Sequence, residues 1–88
     1  MKIRRHCIFY GNVQGVGFRY RARHTANLLG LTGWVKNEWD GSVILEIQGE
    51  EANVEEMIRR LHRLPYGWID RMEMKGLEVE QESSFCVR

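Results

Sequence analysis

The chain alternates between two hydrophobic periodicities, and this alternation predicts its secondary structure in order. Short apolar runs indicate strands at residues 3–10, 32–37, 43–48 and 68–74, with a brief final strand at 85–87. After the first strand, apolar residues recur about every 3.6 positions, which is typical of an amphipathic helix. Its predicted stripe is Phe18, Ala22, Thr25, Ala26 and Leu29. A second stripe follows the third strand and comprises Val54, Met57, Ile58, Leu61 and Leu64.

Turn and breaker residues set the predicted limits of these elements. Gly30 is placed to end the first helix and Pro65 to end the second. Asp40 followed by Gly41 is a hairpin signal between the second and third strands. Gly49 is expected to break the third strand, and residues 76–84 are polar and expected to be irregular.

The side chains of two strands are assigned to faces by the same pattern. The first strand is expected to be mostly buried, because its end is apolar on both faces. In the third strand, the odd-numbered residues 43–47 are apolar and predicted to face the core, whereas Glu46 and Gln48 are predicted to face outward.

The order of elements is β-α-β-β-α-β followed by one short strand, which predicts an α+β, ferredoxin-like fold. Two helices would cover one face of a mixed sheet. At 88 residues, with no repeat or linker, the chain is expected to form a single domain over residues 1–88.

Composition and charge exclude several classes of function. The net charge of +1 argues against a broad electrostatic grip on nucleic acid or on acidic membranes. No apolar stretch approaches the roughly 20 residues needed to span a bilayer, and no signal peptide follows the basic start. We therefore expect a cytoplasmic protein in which Cys7 and Cys86 are free, structural thiols.

The glycine-rich segment between the first strand and first helix carries the candidate chemistry. Gly11, Gly15 and Gly17 lie just before the helix, where a loop can turn several backbone N–H groups toward an anion. The positive charge of Arg19, in the first helical turn, interacts unfavourably with the helix dipole unless a negative ligand is bound there. From these residues alone, an ordinary tight turn with solvated arginines explains the pattern equally well.

A second cluster resolves that choice. Residues 11–19 read G-x-V-Q-G-V-x-F-R, and residues 33–37 read G-W-V-x-N before an Asp-Gly turn. Together these segments resemble the acylphosphatase family, and the resemblance extends over essentially the whole chain. One departure is Asn12, where family members often carry Arg or Lys, which affects the expected affinity for substrate rather than the chemistry.

The resemblance implies an enzyme that hydrolyses acyl phosphates by direct attack of an oriented water. It implies that Arg19 binds the phosphoryl group and that Asn37 orients the water. The phosphate loop would comprise Val13, Gln14, Gly15, Val16, Gly17 and Phe18. No metal or cofactor is expected. The expected partners are a small acyl phosphate and inorganic phosphate, the latter as product and inhibitor, with no nucleic acid or membrane, and the chain is expected to be a monomer.

Two other interpretations use the same fold. An RNA-binding domain would stack bases on aromatic residues of the central strands; Phe9 and Tyr10 supply part of that pattern, but the third strand has no aromatic residue. A catalytically weak module that binds phosphate or carbamoyl phosphate is the second alternative. Hydrolysis is preferred because the chain has both Arg19 and Asn37. Judged from sequence alone, however, Asn37 could equally form an Asx-turn.

Overall fold

The computed structural model describes residues 1–88 and contains five strands and two helices. In chain order these are β1 (Lys2–Asn12), α1 (Phe18–Leu28), β2 (Thr32–Asn37), β3 (Val43–Glu50), α2 (Glu51–Leu61), β4 (Trp68–Leu77) and β5 (Phe85–Val87). The predicted order of elements is confirmed.

The strands form a single mixed sheet in the order β4-β1-β3-β2-β5. All neighbouring strands are antiparallel except β2 and β5, which are parallel. With α1 and α2 packed on one face, this is the predicted ferredoxin-like sandwich with an additional short strand.

The hydrophobic core lies between the helices and that face of the sheet. Val43, Leu45 and Ile47 are fully buried there, as their alternation in β3 predicts. The helices contribute residues from both predicted stripes, namely Phe18, Ala22, Thr25, Ala26, Val54, Met57 and Leu61. Strand β1 differs from its prediction, because Cys7 and Phe9 are buried while Ile8 and Tyr10 are only partly covered.

Three predicted limits were wrong, and strand pairing explains two of them. Gly49 does not break β3, since it pairs with Ile3 of β1. Gly76 belongs to β4, where it pairs with Arg5. In both cases antiparallel pairing with β1 continues the strand past a glycine, although the intrinsic strand propensity of glycine is low. Helix α2 ends at Leu61, before Pro65 and before the last residue of its predicted stripe.

The opposite face of the sheet contains a buried polar cluster that the sequence pattern does not reveal. Arg4 is only 1% exposed and contacts Glu46 at 2.8 Å and Glu82 at 2.7 Å. Gln48 lies on the predicted outward face but is buried there. It accepts a hydrogen bond from the Glu80 N–H at 2.8 Å and donates one to the Glu80 carbonyl at 2.7 Å. Residues 78–84 therefore cover this part of the sheet.

The carboxylate of Glu46 is held in its charged form by two neighbours. Burial alone raises its pKa, but contacts with His6 Nδ1 at 2.7 Å and with Arg4 outweigh burial and leave the pKa below its usual value. The cluster is thus a paired and hydrogen-bonded set of charges, which makes the loss of one member costly.

Neither helix has the length and apolar character required to cross a membrane.

We expect Arg4→Met to lower the free energy of unfolding by about 3 kcal/mol, because Glu46 would lose its cationic partner in a buried site. Denaturant unfolding monitored by circular dichroism measures this. Arg59→Met is the matched control, since the Arg59 pair with Glu56 is exposed on α2 and is expected to contribute little. Equal losses of stability in the two variants would show that burial of the Arg4 cluster does not matter.

Candidate active site

The loop between β1 and α1 has the backbone alternation that forms an anion-binding concavity. Gly15 and Gly17 adopt left-handed conformations with φ of 74° and 80°, whereas Val16 between them does not have a positive φ. Successive residues of opposite hand turn their N–H groups toward a common point. A Cβ atom added at either glycine would meet nothing within 4 Å, so the backbone angle rather than space requires glycine here.

The N–H groups of this region have no partner within the chain. None of the backbone N–H groups of residues 13–20 donates to a carbonyl or side chain, and the first backbone bond of α1 runs from the Arg21 N–H to the Gly17 carbonyl at 2.9 Å. Gly17 occupies the N-cap position and provides no side chain to cap the helix. Unpaired N–H groups and the positive end of the helix dipole together favour an anion at this position.

Strand register brings Asn37 to the same edge of the sheet as this loop. Both β1 and β2 run antiparallel to β3, which lies between them, so their C-terminal ends lie side by side. Phe9 and Asn37 pair with the same residue, Val43. The glycine-rich loop begins a few residues beyond Phe9, and Asn37 is the last residue of β2. Two segments that are distant in sequence thus meet at one place.

A cavity of about 180 Å³ lies where they meet. Its lining includes most of the predicted site residues, namely Val13, Gly15, Gly17, Phe18, Arg19 and Asn37. Gln14 and Val16 do not line it. Tyr20 does, although the sequence analysis did not single it out. Its place in the first turn, where helical side chains lean toward the N-terminus, is the signal that could have identified it.

Of the three arginines at the start of α1, only Arg19 lines the cavity. Its side chain makes one long hydrogen bond, from Nη1 to the Arg88 backbone carbonyl at 3.4 Å, and it forms no ion pair. Arg21 instead donates to the Arg63 carbonyl at 3.3 Å, and the Arg23 guanidinium lies 5.8 Å from the centre of the Tyr20 ring. The planar fork of Arg19 therefore remains available for an anion.

The side chain of Asn37 is not engaged in the turn that follows it. Its Oδ1 is buried without a hydrogen-bond partner in the chain. The turn is closed by Asp40, whose Oδ1 accepts from the Ser42 N–H at 2.9 Å and from the Ser42 hydroxyl at 2.6 Å. These bonds hold the pKa of Asp40 below its usual value. The Asx-turn interpretation thus applies to Asp40 and not to Asn37.

Other polar residues contribute no further reactive group to the cavity. No cluster of three or more His, Cys, Asp or Glu side chains is arranged so that it could hold a metal ion. Cys7 is buried and Cys86 exposed, and both are unpaired. Burial raises the pKa of the Cys7 thiol to about 12, which makes it a poor nucleophile.

Comparison with known proteins provides further evidence about the family of this chain. The acylphosphatase family model matches residues 5–87. An acylphosphatase of Thermococcus kodakarensis is 40% identical over 98% of this chain and 96% of its own length. One from Rhodopseudomonas palustris is 48% identical over 99% of this chain and 86% of its own. The crystal structure of acylphosphatase from Bacillus subtilis matches with a TM-score of 0.93 and 28% identity, covering 98% of both chains.

Proposed function

Since this chain belongs to the acylphosphatase family, we propose that it hydrolyses the carboxyl–phosphate anhydride bond of acyl phosphates to a carboxylate and inorganic phosphate. The observation that carries this proposal is the cavity lined by loop residues with unpaired N–H groups, by Arg19, which pairs with no acidic side chain, and by Asn37, whose side chain has no hydrogen-bond partner within the chain. Those three elements match the needs of phosphoryl transfer, which are positioning and stabilisation of negative charge.

The phosphoryl group would be held by the loop and by Arg19. Backbone N–H groups of residues 13–18 would donate to its oxygens, while the guanidinium of Arg19 makes two parallel bonds to a pair of them. This assignment is supported by the lining of the cavity, which includes Val13, Gly15, Gly17, Phe18 and Arg19. The N–H and guanidinium donors would stabilise the charge that develops on the equatorial oxygens.

Asn37 would orient the attacking water. Its side-chain amide, which carries both a donor and an acceptor, would hydrogen-bond the water and direct an oxygen lone pair toward phosphorus. As the new P–O bond forms, the bond from phosphorus to the acyl oxygen breaks and a carboxylate leaves with the electron pair. The proton lost by the water passes to solvent. Because a carboxylate is a good leaving group, the reaction needs no general acid at the leaving oxygen.

The two alternative functions are not favoured. Phe9 is fully buried in the core beneath the helices, and the ring of Tyr10 is covered by the Arg71 guanidinium at 4.0 Å. The aromatic surface that RNA-binding domains of this fold use is therefore missing from these positions. The curated relatives that match most of both chains carry the name acylphosphatase rather than that of a binding module.

Further parts of the proposal come from the sequence and await measurement. They are a cytoplasmic location, a monomeric state, product inhibition by inorganic phosphate, and catalysis without a metal ion. The last is supported by the cavity lining, in which the one charged side chain is the cation Arg19 and no carboxylate offers a ligand to Mg²⁺.

Arg19→Lys is expected to lower kcat/KM by about ten- to a hundredfold, because a point charge cannot replace a bidentate fork. Inorganic phosphate should also inhibit this variant more weakly. Steady-state hydrolysis of benzoyl phosphate with phosphate as competitor measures both effects. Arg23→Lys, on the same helix but outside the cavity, should leave them unchanged. Near-normal turnover of Arg19→Lys would exclude Arg19 as the phosphate ligand.

Asn37→Ala should lower kcat by about a hundredfold, because the water would lose its orientation. Inhibition by phosphate should barely change, since Asn37 does not hold the phosphoryl group. If Asn37 served only the turn, its loss would lower the melting temperature and leave kcat per folded molecule intact. Measuring kcat, phosphate inhibition and melting temperature on one preparation separates the two roles.

Activity is expected to persist in excess EDTA, because the proposed mechanism uses only groups of the chain. Hydrolysis of acetyl phosphate before and after prolonged dialysis against chelator is the measurement. Activity that disappears on dialysis and returns with one particular metal ion would overturn the mechanism.

A further inference from the structure

The turn that follows Asn37 is a closed hydrogen-bonded unit. The Glu38 N–H donates to the Ser42 carbonyl at 2.8 Å, and the Gly41 N–H donates to the Glu38 carbonyl at 3.2 Å. Asp40 binds Ser42 through both the backbone N–H and the hydroxyl. Residues 38–42 therefore form a closed unit that directly follows Asn37 in the chain.

Gln14 attaches this unit to the phosphate loop. Its Nε2 donates to the Glu38 carbonyl at 2.6 Å and to the Ser42 carbonyl at 2.9 Å. A primary amide nitrogen carries two hydrogens, so both are used on the two ends of one turn. These bonds join residues 24 and 28 positions apart in the sequence. The backbone of Gln14 belongs to the loop whose N–H groups face the cavity.

The side chain of Asn37 has no such attachment of its own. No hydrogen bond within the chain holds its amide, and its Oδ1 is buried and unpartnered. Its orientation toward the loop therefore depends on the backbone at the end of β2, immediately before Glu38. Gln14 is a side chain of the loop that contacts the turn after this backbone directly.

We propose that Gln14 is a positioning residue, which holds the β2–β3 turn against the phosphate loop. The Asn37 side chain then lies at the distance from the bound phosphoryl group that the attacking water requires. This inference rests on the proposed function and adds to it, since Gln14 does not line the cavity. A water-orienting amide displaced by about 1 Å can cost up to about a hundredfold in rate.

The test compares Gln14→Met, which keeps the length of the side chain and removes both donors, with wild-type protein. We expect kcat for acetyl phosphate to fall by about ten- to a hundredfold, with inhibition by inorganic phosphate nearly unchanged. Gln14→Glu should be more strongly impaired, because its carboxylate would face two carbonyl oxygens. Gln81→Met, an exposed residue distant from the cavity, is the matched control and should behave as wild type.

A double-mutant cycle shows whether Gln14 acts through Asn37. Once Asn37→Ala has removed the water-orienting amide, adding Gln14→Met should lower kcat by less than about twofold. Independent, multiplicative losses would overturn the inference, as would a loss of phosphate inhibition equal to the loss of kcat. Absence of acyl phosphate hydrolysis by the wild-type protein would overturn the proposed function itself. Normal turnover by Gln14→Met in an active enzyme would overturn only the role of Gln14.

Discussion

The site is organised around backbone N–H groups that the fold leaves without a partner. Exposed donors of this kind persist only where the surrounding structure fixes the backbone. Here the loop is held at both ends by core residues, since Val13 is 1% exposed and Phe18 is 2% exposed. The Phe18 ring lies 5.0 Å from that of Phe9. Burial of these side chains stabilises the loop, and the two left-handed glycines then orient its N–H groups.

The sheet supplies the second half of the site through register. With β3 between β1 and β2, the glycine-rich loop and Asn37 lie at the same end of the sheet. Backbone pairing fixes this arrangement to within one residue, because a shift by one position would exchange the faces of every side chain in β3. The bonds from Gln14 to the carbonyls of Glu38 and Ser42 refine it further. The relative position of the two segments therefore depends on strand pairing and on the hydrogen bonds that one side chain, Gln14, donates to main-chain carbonyls.

The polar cluster on the opposite face has a separate role. Arg4 and Gln48 attach residues 78–84 to the sheet through Glu82 and Glu80, and this segment leads directly into β5. Placement of β5 beside β2 brings the Arg88 carbonyl to the Arg19 side chain. A buried ion pair adds less stability than its contacts suggest, because desolvation offsets the attraction. The polar cluster instead holds the irregular segment 78–84 in one position on the sheet.

Local sequence determined most of what is local in this protein. Hydrophobic period distinguished helices from strands, the glycines and Arg19 indicated an anion site, and two short segments identified the family. Tertiary structure alone decided the rest. Backbone pairing with β1 continued two strands past Gly49 and Gly76, and a covering segment buried Arg4 and Gln48. Each of these depends on a partner distant in sequence, and periodicity describes only how a residue relates to its near neighbours.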